Sequence, residues 1–495
     1  MFYDLVTILI KSIDFMYSKF GQFIDGKWQQ SESKATYDVV NPATEELIGK
    51  ASKASSADID RALTSAQKGF LIWKKYSPWD RSKIIRNIAD QIRKKNNELA
   101  KWMTLETGKP FAEGLAEVSG SADIFEWNSE ETKRIYGQTV QSRFEDTRVI
   151  INYEPVGVVA ALSPWNFPLV LAARKISTAL AAGCSVICKP DVIAPGTVME
   201  LVDIISKCGV PSGVVSLLSG DPSIIASQLI SSDIVKKISL TGSTRVGKII
   251  LKQAAEKIQR VTMELSGHAP FIVHEDANIE KAVDIAVAAK YRNNGQVCIS
   301  PSRFYIHENK KEQFAKSFVN KTLKLKIGNG MKDDVQLGPI TTKKRLEEIE
   351  KLVEITKKEG AKILCGGKRP SGFNKGYFYE PTVFDDVKEN FKIMTEEPFG
   401  PLTPLLTFKN FNEVVDKANN QAAGLASYVC TNSIELANRT SEALETGMVA
   451  VNTPFISNAE TPFGGIKQSG YGREGGSVGI KDYLNIKYTH LGIKG

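Results

Sequence analysis

Helical spacing of apolar residues is the main pattern in the first part of the chain. After Ser55-Ser56, apolar side chains recur every three or four residues as far as Phe70, which predicts an amphipathic helix with a capped start. A second helix is predicted after Pro78, and more helix runs to the stop signal T-G-K-P at 107–110. Before these helices, residues 23–41 have the pattern of short strands.

From Val156 onward, short apolar runs alternate with helical segments. Such alternation predicts a parallel sheet covered by helices, whose ligands bind at the carboxyl ends of the strands. A second block of the same kind begins near Pro270 and continues to about Ala443. The predicted strands are Val156–Leu162, Ser185–Lys189, Val214–Ser219, Lys237–Thr241, Val261–Leu265 and Phe271–His274.

Residues 133–153 have a different pattern, with two extended runs, Arg134–Gln141 and Thr147–Tyr153, on either side of a polar turn. Near the C-terminus, apolar and polar residues alternate from Leu484 to Thr489, which is the pattern of another strand. We therefore expect a hairpin at 133–153 and a matching strand at the end of the chain.

The first fifteen residues contain an apolar run that charged residues interrupt, so that only Leu5–Ile10 is continuous. This run is too short for a signal peptide or a membrane span, and no basic segment precedes it. Because Met16 follows directly, we expect residues 1–15 to be a dispensable extension and Met16 to be a candidate translation start.

The composition is that of an ordinary globular protein. At 495 residues, with 42% hydrophobic and 24% charged residues, the chain is long enough for two or three domains. The net charge of +8 is small for this length, and basic stretches such as Thr342–Glu348 also contain acids. Nucleic-acid binding is therefore not expected.

Six scattered cysteines form no C-x-x-C pair, which argues against a zinc site and a disulfide framework. Free cysteines fit a reducing compartment, so we expect a cytoplasmic protein. Only four histidines occur, and none lies in a recognisable catalytic motif. We therefore expect no metal, and a carboxylate rather than a histidine as the general base.

The stretch Y-R-N-N-G-Q-V-C-I-S-P-S-R (291–303) places Cys298 on a loop after Gly295 and before a Ser-Pro turn. A cysteine on such a loop can be exposed and reactive, whereas one inside an apolar run is usually a small core residue. Three further stretches favour the reactive interpretation: S-P-W-N-F-P (163–168), T-G-S-T-R-V-G (241–247) and M-E-L-S-G (263–267).

T-G-S-T-R-V-G differs from the G-x-G-x-x-G fingerprint, but it follows a predicted strand and opens a predicted helix, Val246–Ile258. Gly242 allows close backbone approach, Ser243 can cap the helix and bond a phosphate, and the helix N-terminus adds a positive field. A plain strand–turn–helix connection is the alternative.

Glu264 ends another predicted strand, where a buried acid is costly unless it is wet, paired or functional.

These four stretches, in this order, resemble the aldehyde dehydrogenase superfamily from about Phe23 to about Ile493. The resemblance implies an α/β fold with two parallel-sheet domains and a β-hairpin arm that joins subunits into a homodimer or homotetramer. The implied division is an NAD(P)-binding domain at 16–132 and 151–265, a catalytic domain at 266–445, an arm at 133–150 and 478–495, and a segment at 446–477 that packs near the active site.

The resemblance also implies a covalent mechanism. Cys298 would attack an aldehyde and hold the resulting thioester, and Glu264 would direct water at it. The Asn166 side chain and the Cys298 backbone N–H would hold the oxyanion, and Lys175 would carry a charge near the nicotinamide. The family has E-L-G-G where this chain has Ser266, which would cost about 1 kcal/mol or more if that position needs a positive φ.

NAD or NADP is the implied cofactor. By resemblance, Lys189 bonds the adenosine ribose and Glu397 grips the nicotinamide ribose. Relatives that prefer NAD often carry a glutamate where this chain has Val192, so NADP should be tolerated, although Asp191 could partly replace the missing charge. The other implied cofactor contacts are Trp165, Asn166, Gly242, Ser243, Gly247, Leu265 and Phe399.

The substrate class also follows from the resemblance. In succinate-semialdehyde dehydrogenases the positions of Arg174, Arg303 and Ser457 hold the far carboxylate of the substrate, for which the planar arginine fork is well suited. Each of the three could instead be a surface residue. We expect succinate semialdehyde as the substrate, with glutarate or 2-oxoglutarate semialdehyde, or a general aldehyde, as alternatives.

A protein with this fold could instead have either of two other functions. A CoA-acylating enzyme would pass the thioester to CoA and usually lacks a base at the position of Glu264. A non-catalytic protein would be free to lose Cys298 or Asn166, and both are present. An NAD(P)H absorbance assay with and without CoA separates the three.

Overall fold

The computed structural model describes residues 17–493, so the predictions for residues 1–15 and Met16 lie outside the described residues. The first part forms short strands and then helices, as its apolar spacing predicted. Its elements are β1 (Gln22–Ile24), β2 (Lys27–Gln29), β3 (Thr36–Val40), β4 (Leu47–Ser52), α1 (Ser56–Trp73), α2 (Pro78–Lys94), α3 (Asn96–Thr107) and α4 (Phe111–Thr132).

Strands and helices then alternate, and the predicted strand at Ser185–Lys189 has the predicted bounds. The elements are β5 (Gln138–Gln141), β6 (Thr147–Pro155), β7 (Val158–Leu162), α5 (Pro168–Ala182), β8 (Ser185–Lys189), α6 (Pro195–Ser206), β9 (Val215–Leu217), α7 (Pro222–Ser231), β10 (Val235–Thr241), α8 (Thr244–Ala255) and β11 (Arg260–Glu264).

The rest of the chain forms the second α/β block and the C-terminal strands. The elements are β12 (Ala269–Val273), α9 (Ile279–Tyr291), β13 (Pro301–His307), α10 (Lys311–Thr322), α11 (Lys343–Lys358), β14 (Lys362–Cys365), β15 (Thr382–Asp385), α12 (Lys392–Thr395), β16 (Leu402–Phe408), α13 (Phe411–Asn419), β17 (Ala423–Gly424), β18 (Ala426–Cys430), α14 (Ile434–Ala443), β19 (Met448–Val451), β20 (Ile466–Lys467), β21 (Gly470–Tyr471) and β22 (Leu484–Gly492).

The first sheet has eight strands in the order β2-β1-β9-β8-β7-β10-β11-β21. Its five central strands run parallel, so their carboxyl ends meet at one edge. The register places Leu162 between Lys189 and Leu240, and Thr241 beside Glu264. This edge therefore brings together the stretches that the sequence singled out for cofactor binding and base catalysis.

The second sheet has seven strands in the order β14-β15-β16-β13-β12-β18-β19. Strands β12, β13, β15, β16, β18 and β19 run parallel to their neighbours, and β14 pairs antiparallel at one edge. Buried apolar side chains lie on both faces, as expected for a parallel sheet covered by helices. The loop with Cys298 lies just before β13.

The hairpin β5–β6 continues into a three-stranded sheet with β22, the last strand. The predicted match between the hairpin and the chain end is confirmed, because β22 pairs antiparallel with β6 from Leu484 opposite Pro155 to Gly492 opposite Thr147. Within residues 17–493, the structure contains no helix with the length and apolar character needed to span a membrane.

Candidate active site

Cys298 lies on a tightly bent loop between α9 and β13. Asn293 and Asn294 have φ values of 45° and 57°, in the left-handed region that asparagine tolerates better than most residues. A Cβ at Gly267 would collide with the Cys298 carbonyl, so the loop after β11 packs closely against the cysteine loop. Cys298 is partly exposed, whereas its neighbours are buried.

The surroundings of Cys298 favour the neutral thiol when no cofactor is bound. Loss of solvation, followed by the carboxylates of Glu397 and Glu264, raises its pKa to about 12. Two backbone N–H groups, of Cys298 itself and of Ile299, lie near the sulfur and oppose this shift. The same N–H groups are therefore available to stabilise negative charge near the sulfur.

Glu264 is buried at the end of β11, and neither of its carboxylate oxygens has a hydrogen-bond partner within residues 17–493. Burial, and next the charge of Glu474, raise its pKa well above the ordinary value. Gly464 leaves the room that this carboxylate needs, since a Cβ there would lie 2.7 Å from Glu264 Oε1. An unpartnered buried carboxyl group fits a group that has to bond a water or a reacting species.

Asn166 is buried, and its backbone and side chain both reach the cysteine loop. Its Nδ2 donates to the Gln296 carbonyl at 3.0 Å, two residues before Cys298. Its own carbonyl accepts from Asn293 Nδ2 at 3.0 Å. The amide has a second N–H, which can be directed at an oxyanion beside Cys298.

Lys175 is buried on α5, where its ammonium pairs with Glu474 at 2.5 Å and donates to Thr241 Oγ1 at 2.8 Å. The predicted charge is thus present at the carboxyl end of β10, but Glu474 balances it. Glu474 was not among the predicted site residues. The sequence signal for it is that an acid lies in the glycine-rich segment 463–476, and a flexible linker would not need an acid there.

Ser266 does not have the positive φ that would have made it strained in place of glycine. Its hydroxyl accepts the Thr244 N–H at 3.4 Å and lies near the Glu397 carboxylate. Burial raises the pKa of Glu397 to about 7, although the Ser266 hydroxyl, Arg345 and the Gly267 N–H oppose this shift. Ser266 therefore favours the charged form of the predicted ribose-binding glutamate.

The residues predicted to contact a dinucleotide fit that role. The Ser243 side chain caps α8, and a Cβ at Gly247 would lie 2.6 Å from Leu265, so the helix packs closely on β11 and presents its N-terminus at the sheet edge. Lys189 is buried, and its ammonium makes no ion pair or hydrogen bond in the part of the chain that the structure describes. Burial lowers the pKa of Lys189, and the charge of Asp191 opposes this shift.

Trp165 and Phe399, two further predicted cofactor contacts, meet edge to face with their ring centroids 5.8 Å apart. Phe399 has a φ of 41°, an unusual value for a bulky residue, and Arg345 donates to its carbonyl at 3.3 Å. Val192 is half-buried, and Asp191 accepts the Ile193 N–H at 3.0 Å, so its carboxylate is folded back on its own backbone. Asp191 nevertheless remains beside Lys189 as a charge.

Arg174 and Ser457 are brought together as predicted. Arg174 is 2% exposed, and its Nη2 donates to Ser457 Oγ at 3.0 Å and to the Asn458 carbonyl at 3.3 Å. Its Nη1 is buried without a partner among residues 17–493. A Cβ at Gly475 would lie 2.5 Å from that nitrogen. Burial lowers the pKa of Arg174, while the charges of Glu474, Glu264 and Cys298 oppose the shift, so the guanidinium lies near the reacting groups.

The prediction that Arg303 joins this pair is wrong. Arg303 lies on β13 with 1% of its surface exposed. Its guanidinium donates to the carbonyls of His268, Lys417 and Ala418 and to the Tyr305 hydroxyl. These bonds occupy its donors inside the second sheet, so Arg303 is a structural residue there.

Arg292 is the second arginine that the structure places at the site. It is exposed, six residues before Cys298, and its guanidinium lies 4.6 Å over the ring of Phe167. Phe167, Phe463 and Cys298 belong to one apolar cluster, and Arg174 lies 5.1 Å over Phe463. The signal for Arg292 was present in the stretch 291–303, which contains two arginines at similar distances from the cysteine.

Residues 17–493 contain no group of three or more His, Cys, Asp or Glu side chains placed to hold a metal ion. The arrangement instead provides a thiol with two backbone N–H donors, an amide donor, an unpartnered carboxyl group and a buried guanidinium with a free donor. Such a set can perform covalent chemistry on a carbonyl compound that carries an anionic group.

Comparisons with known proteins agree with this geometry. The sequence model of the aldehyde dehydrogenase family matches residues 28–489. Glutarate-semialdehyde dehydrogenase of Pseudomonas putida is 40% identical over 95% of this chain and 97% of its own. The NADP-dependent succinate-semialdehyde dehydrogenase of Escherichia coli is 39% identical with the same coverage. The crystal structure of succinate-semialdehyde dehydrogenase from Burkholderia pseudomallei has a TM-score of 0.94 at 40% identity, covering 96% of this chain and 98% of that one.

Proposed function

Because the chain belongs to the aldehyde dehydrogenase family, and is thus an NAD(P)-dependent oxidoreductase, we propose that it oxidises succinate semialdehyde to succinate. The observation that carries this proposal is the buried Arg174, whose Nη1 has no partner within the described residues. A buried guanidinium N–H without an acceptor is costly, and a carboxylate of the substrate would supply that acceptor.

The residues around Arg174 support a carboxylate at this place. Ser457 is bonded to the same guanidinium and keeps it in position. Arg292, stacked on Phe167, adds a second positive charge. We propose that these three residues hold the far carboxylate while the aldehyde carbon faces Cys298. A four-carbon semialdehyde has its two functional groups only a few bonds apart, and the Arg174 guanidinium lies near enough to Cys298 for their charges to interact.

The chemistry at Cys298 begins with the formation of a bond from its sulfur to the aldehyde carbon. The thiol proton passes to a water molecule as the bond forms, and the oxygen becomes an oxyanion that the Asn166 amide and the Cys298 backbone N–H can hold. A bound NAD(P) would supply the acceptor for the hydride of this carbon. Cys298 is then acylated as a thioester.

Glu264 acts in the second half of the reaction. Its carboxylate takes a proton from a water molecule, whose oxygen attacks the thioester carbon, and the carbon–sulfur bond breaks to release the acid. A carboxyl group with a raised pKa takes a proton more readily than an ordinary one. Lys175 and Ser239 bond Glu474 and keep its charge close to Glu264, which contributes to this shift.

Lys189, Ser243 and Glu397 would hold the cofactor by its adenosine ribose, its phosphates and its nicotinamide ribose. Val192 and the folded-back Asp191 leave no carboxylate directed at a 2′-phosphate, so we propose that both NAD and NADP are used. We further propose that the chain works as a homodimer or homotetramer in a reducing compartment such as the cytoplasm.

Glutarate semialdehyde is the second candidate substrate. The Pseudomonas putida relative named for it is as similar to this chain as the relatives named for succinate semialdehyde. Both substrates end in a carboxylate and differ by one methylene, which a pocket discriminates by only about 1–3 kcal/mol.

Arg174→Ala tests the proposed substrate class. One charge-assisted bond to a carboxylate contributes about 1.5–3 kcal/mol, so we expect kcat/KM for succinate semialdehyde to fall by about 10- to 100-fold. With butanal, which has no carboxylate, the loss should be much smaller. The measurement is steady-state kinetics on both aldehydes with saturating NADP.

Arg303→Met is the matched control. It also removes a buried arginine, but that arginine bonds to carbonyl groups of the second sheet and is not expected to contact the substrate. It should change the two kcat/KM values by the same factor. Equal losses on both aldehydes for Arg174→Ala would refute the carboxylate site and leave a general aldehyde dehydrogenase.

A further inference from the structure

Helix α4 has two carboxylates that bond to two different loops of the site. Glu113 and Glu117 are four residues apart and so lie on one face of the helix. Glu117 Oε1 accepts the backbone N–H groups of Leu169 at 2.9 Å and Val170 at 3.1 Å, in the first turn of α5. Glu113 Oε2 accepts the Asn293 N–H at 2.8 Å, on the cysteine loop.

Lys109 lies just before α4 and bonds to the loop that carries Asn166. Its side chain is buried, and its ammonium pairs with Glu117. The same ammonium donates to the Asn166 carbonyl at 2.9 Å and lies 4.1 Å over the ring of Phe167. Lys109 therefore contacts the backbone of the residue whose side chain is the oxyanion donor.

The loop that carries Asn166 and the loop that carries Cys298 are also hydrogen-bonded to each other. Asn293 Nδ2 donates to the Asn166 carbonyl at 3.0 Å, and Asn166 Nδ2 donates to the Gln296 carbonyl at 3.0 Å. The Asn166 carbonyl thus accepts from both Lys109 and Asn293. Since Asn293 has a left-handed backbone, these bonds maintain a conformation that the chain would not favour by itself.

Stability alone does not account for the buried ion pair. Two charges lose their hydration on burial, and well-packed apolar residues of similar volume are often at least as stable. Among the described residues, Glu117 also supplies the side-chain acceptor for the first N–H groups of α5, whose own N-cap, Phe167, has none. The pair therefore sets where α5 begins, and with it where Asn166 lies.

We propose that Lys109, together with Glu117, is a positioning residue that sets the distance between the Asn166 amide and the Cys298 sulfur. The oxyanion formed on the substrate then meets both donors at bonding distance. The proposal rests on the proposed function, because it requires Asn166 to bind an oxyanion. A misplacement of about 1 Å can cost about 100-fold in rate.

Lys109→Met, measured alone and in the Asn166→Ala background, is the test. Alone, it should lower kcat for succinate semialdehyde with saturating NADP by about 10- to 100-fold. In the Asn166→Ala background it should lower kcat by less than about threefold, because the donor that Lys109 positions is already absent. Alkylation of Cys298 by iodoacetamide forms no oxyanion, so its rate should stay within about twofold of the parent protein's.

Two further variants separate positioning from folding. Lys109→Met/Glu117→Gln removes both charges, and it is measured in the same way in case the single variant does not fold. We expect its kcat to stay low, since the bond to the Asn166 carbonyl is still missing. Lys237→Met is the matched control: this buried lysine donates to Thr262 at 2.5 Å and lies 4.6 Å over Tyr483, away from both loops. Its kcat should be retained.

The outcomes separate a failure of the positioning role of Lys109 from a failure of the oxyanion role of Asn166. An equal loss of kcat from Lys109→Met in both backgrounds, or an equal slowing of alkylation and turnover, would mean that Lys109 only supports the fold, and the positioning proposal would be wrong. Full activity of Asn166→Ala alone would instead overturn the oxyanion role in the proposed function, and the positioning proposal with it.

Discussion

At the scale of single residues, charge around Cys298 decides when its thiol reacts. Loss of solvation, Glu397 and Glu264 raise its pKa to about 12, which favours the protonated thiol. The thiolate fraction therefore increases with pH throughout the neutral range. The protein without cofactor should thus have a slowly reacting cysteine, although we propose this cysteine as the nucleophile.

The raised pKa of Cys298 gives a prediction for its alkylation in the protein without cofactor. The rate of Cys298 modification by iodoacetamide should rise about tenfold per pH unit between pH 7 and 9, because the pKa lies above this range. Glu264→Gln removes one of the carboxylates that raise the pKa, so alkylation at pH 9 should be faster. Cys298→Ser corrects for the other cysteines. A plateau below pH 8, or slower alkylation of Glu264→Gln, would disagree with this assignment of charges.

Single residues also show which parts of the candidate site could be predicted from the sequence. Cys298, Glu264 and Asn166 were predictable because each is the one reactive residue of its motif. Arg303 and Arg292 lie at similar distances from Cys298 in the chain, and only the packing shows that Arg303 points into the second sheet. The effect of Ser266 on the pKa of Glu397 was not predictable either, because the two residues lie 131 positions apart in the chain.

At the scale of elements, buried parallel strands were the most predictable part of the fold. They are continuous apolar runs, so Ser185–Lys189 was predicted with its observed bounds. β9 is shorter than predicted, Val215–Leu217 rather than Val214–Ser219, partly because the Ser219 N–H donates to the Gln22 side chain instead of a strand. No element was expected at 111–132, since the buried face of α4 mixes polar and apolar residues and forms no apolar stripe.

The arm formed by β5, β6 and β22 has an exposed apolar face. Ile486 and Tyr488 on β22 are each 70% exposed, and they alternate with Lys487, which pairs with Glu154 on the other face. An exposed apolar strand face of this kind is typical of a surface that packs against another subunit.

Ile486→Asp should therefore lower the assembly mass of the protein, because it places a charge in the subunit contact. Lys487→Ser, on the opposite face of the same strand, should leave the mass unchanged. Light scattering after size-exclusion chromatography measures both. A parent protein that is already monomeric, or an Ile486→Asp protein that keeps the parent mass, would exclude this face as the contact.

At the scale of the whole molecule, the proposed reaction uses residues from both parallel sheets. The first sheet contributes Lys189 and Glu264 at the carboxyl ends of its strands, and the second contributes Cys298 just before β13. Helix α4 joins the two through Glu113 and Glu117. The two parallel sheets were predictable from strand–helix alternation, whereas helix α4, which connects them, was not, because its partners are far away in the sequence.

The most direct measurement of the central claim is the reaction of Glu264→Gln with succinate semialdehyde and NADP. The variant should form the Cys298 thioester and fail to hydrolyse it, so we expect a burst of about one NADPH per active site followed by slow turnover. Mass spectrometry should find one succinyl group on the peptide that contains Cys298, and none in Cys298→Ser. Full steady turnover without a burst, or an adduct on a different residue, would contradict the account.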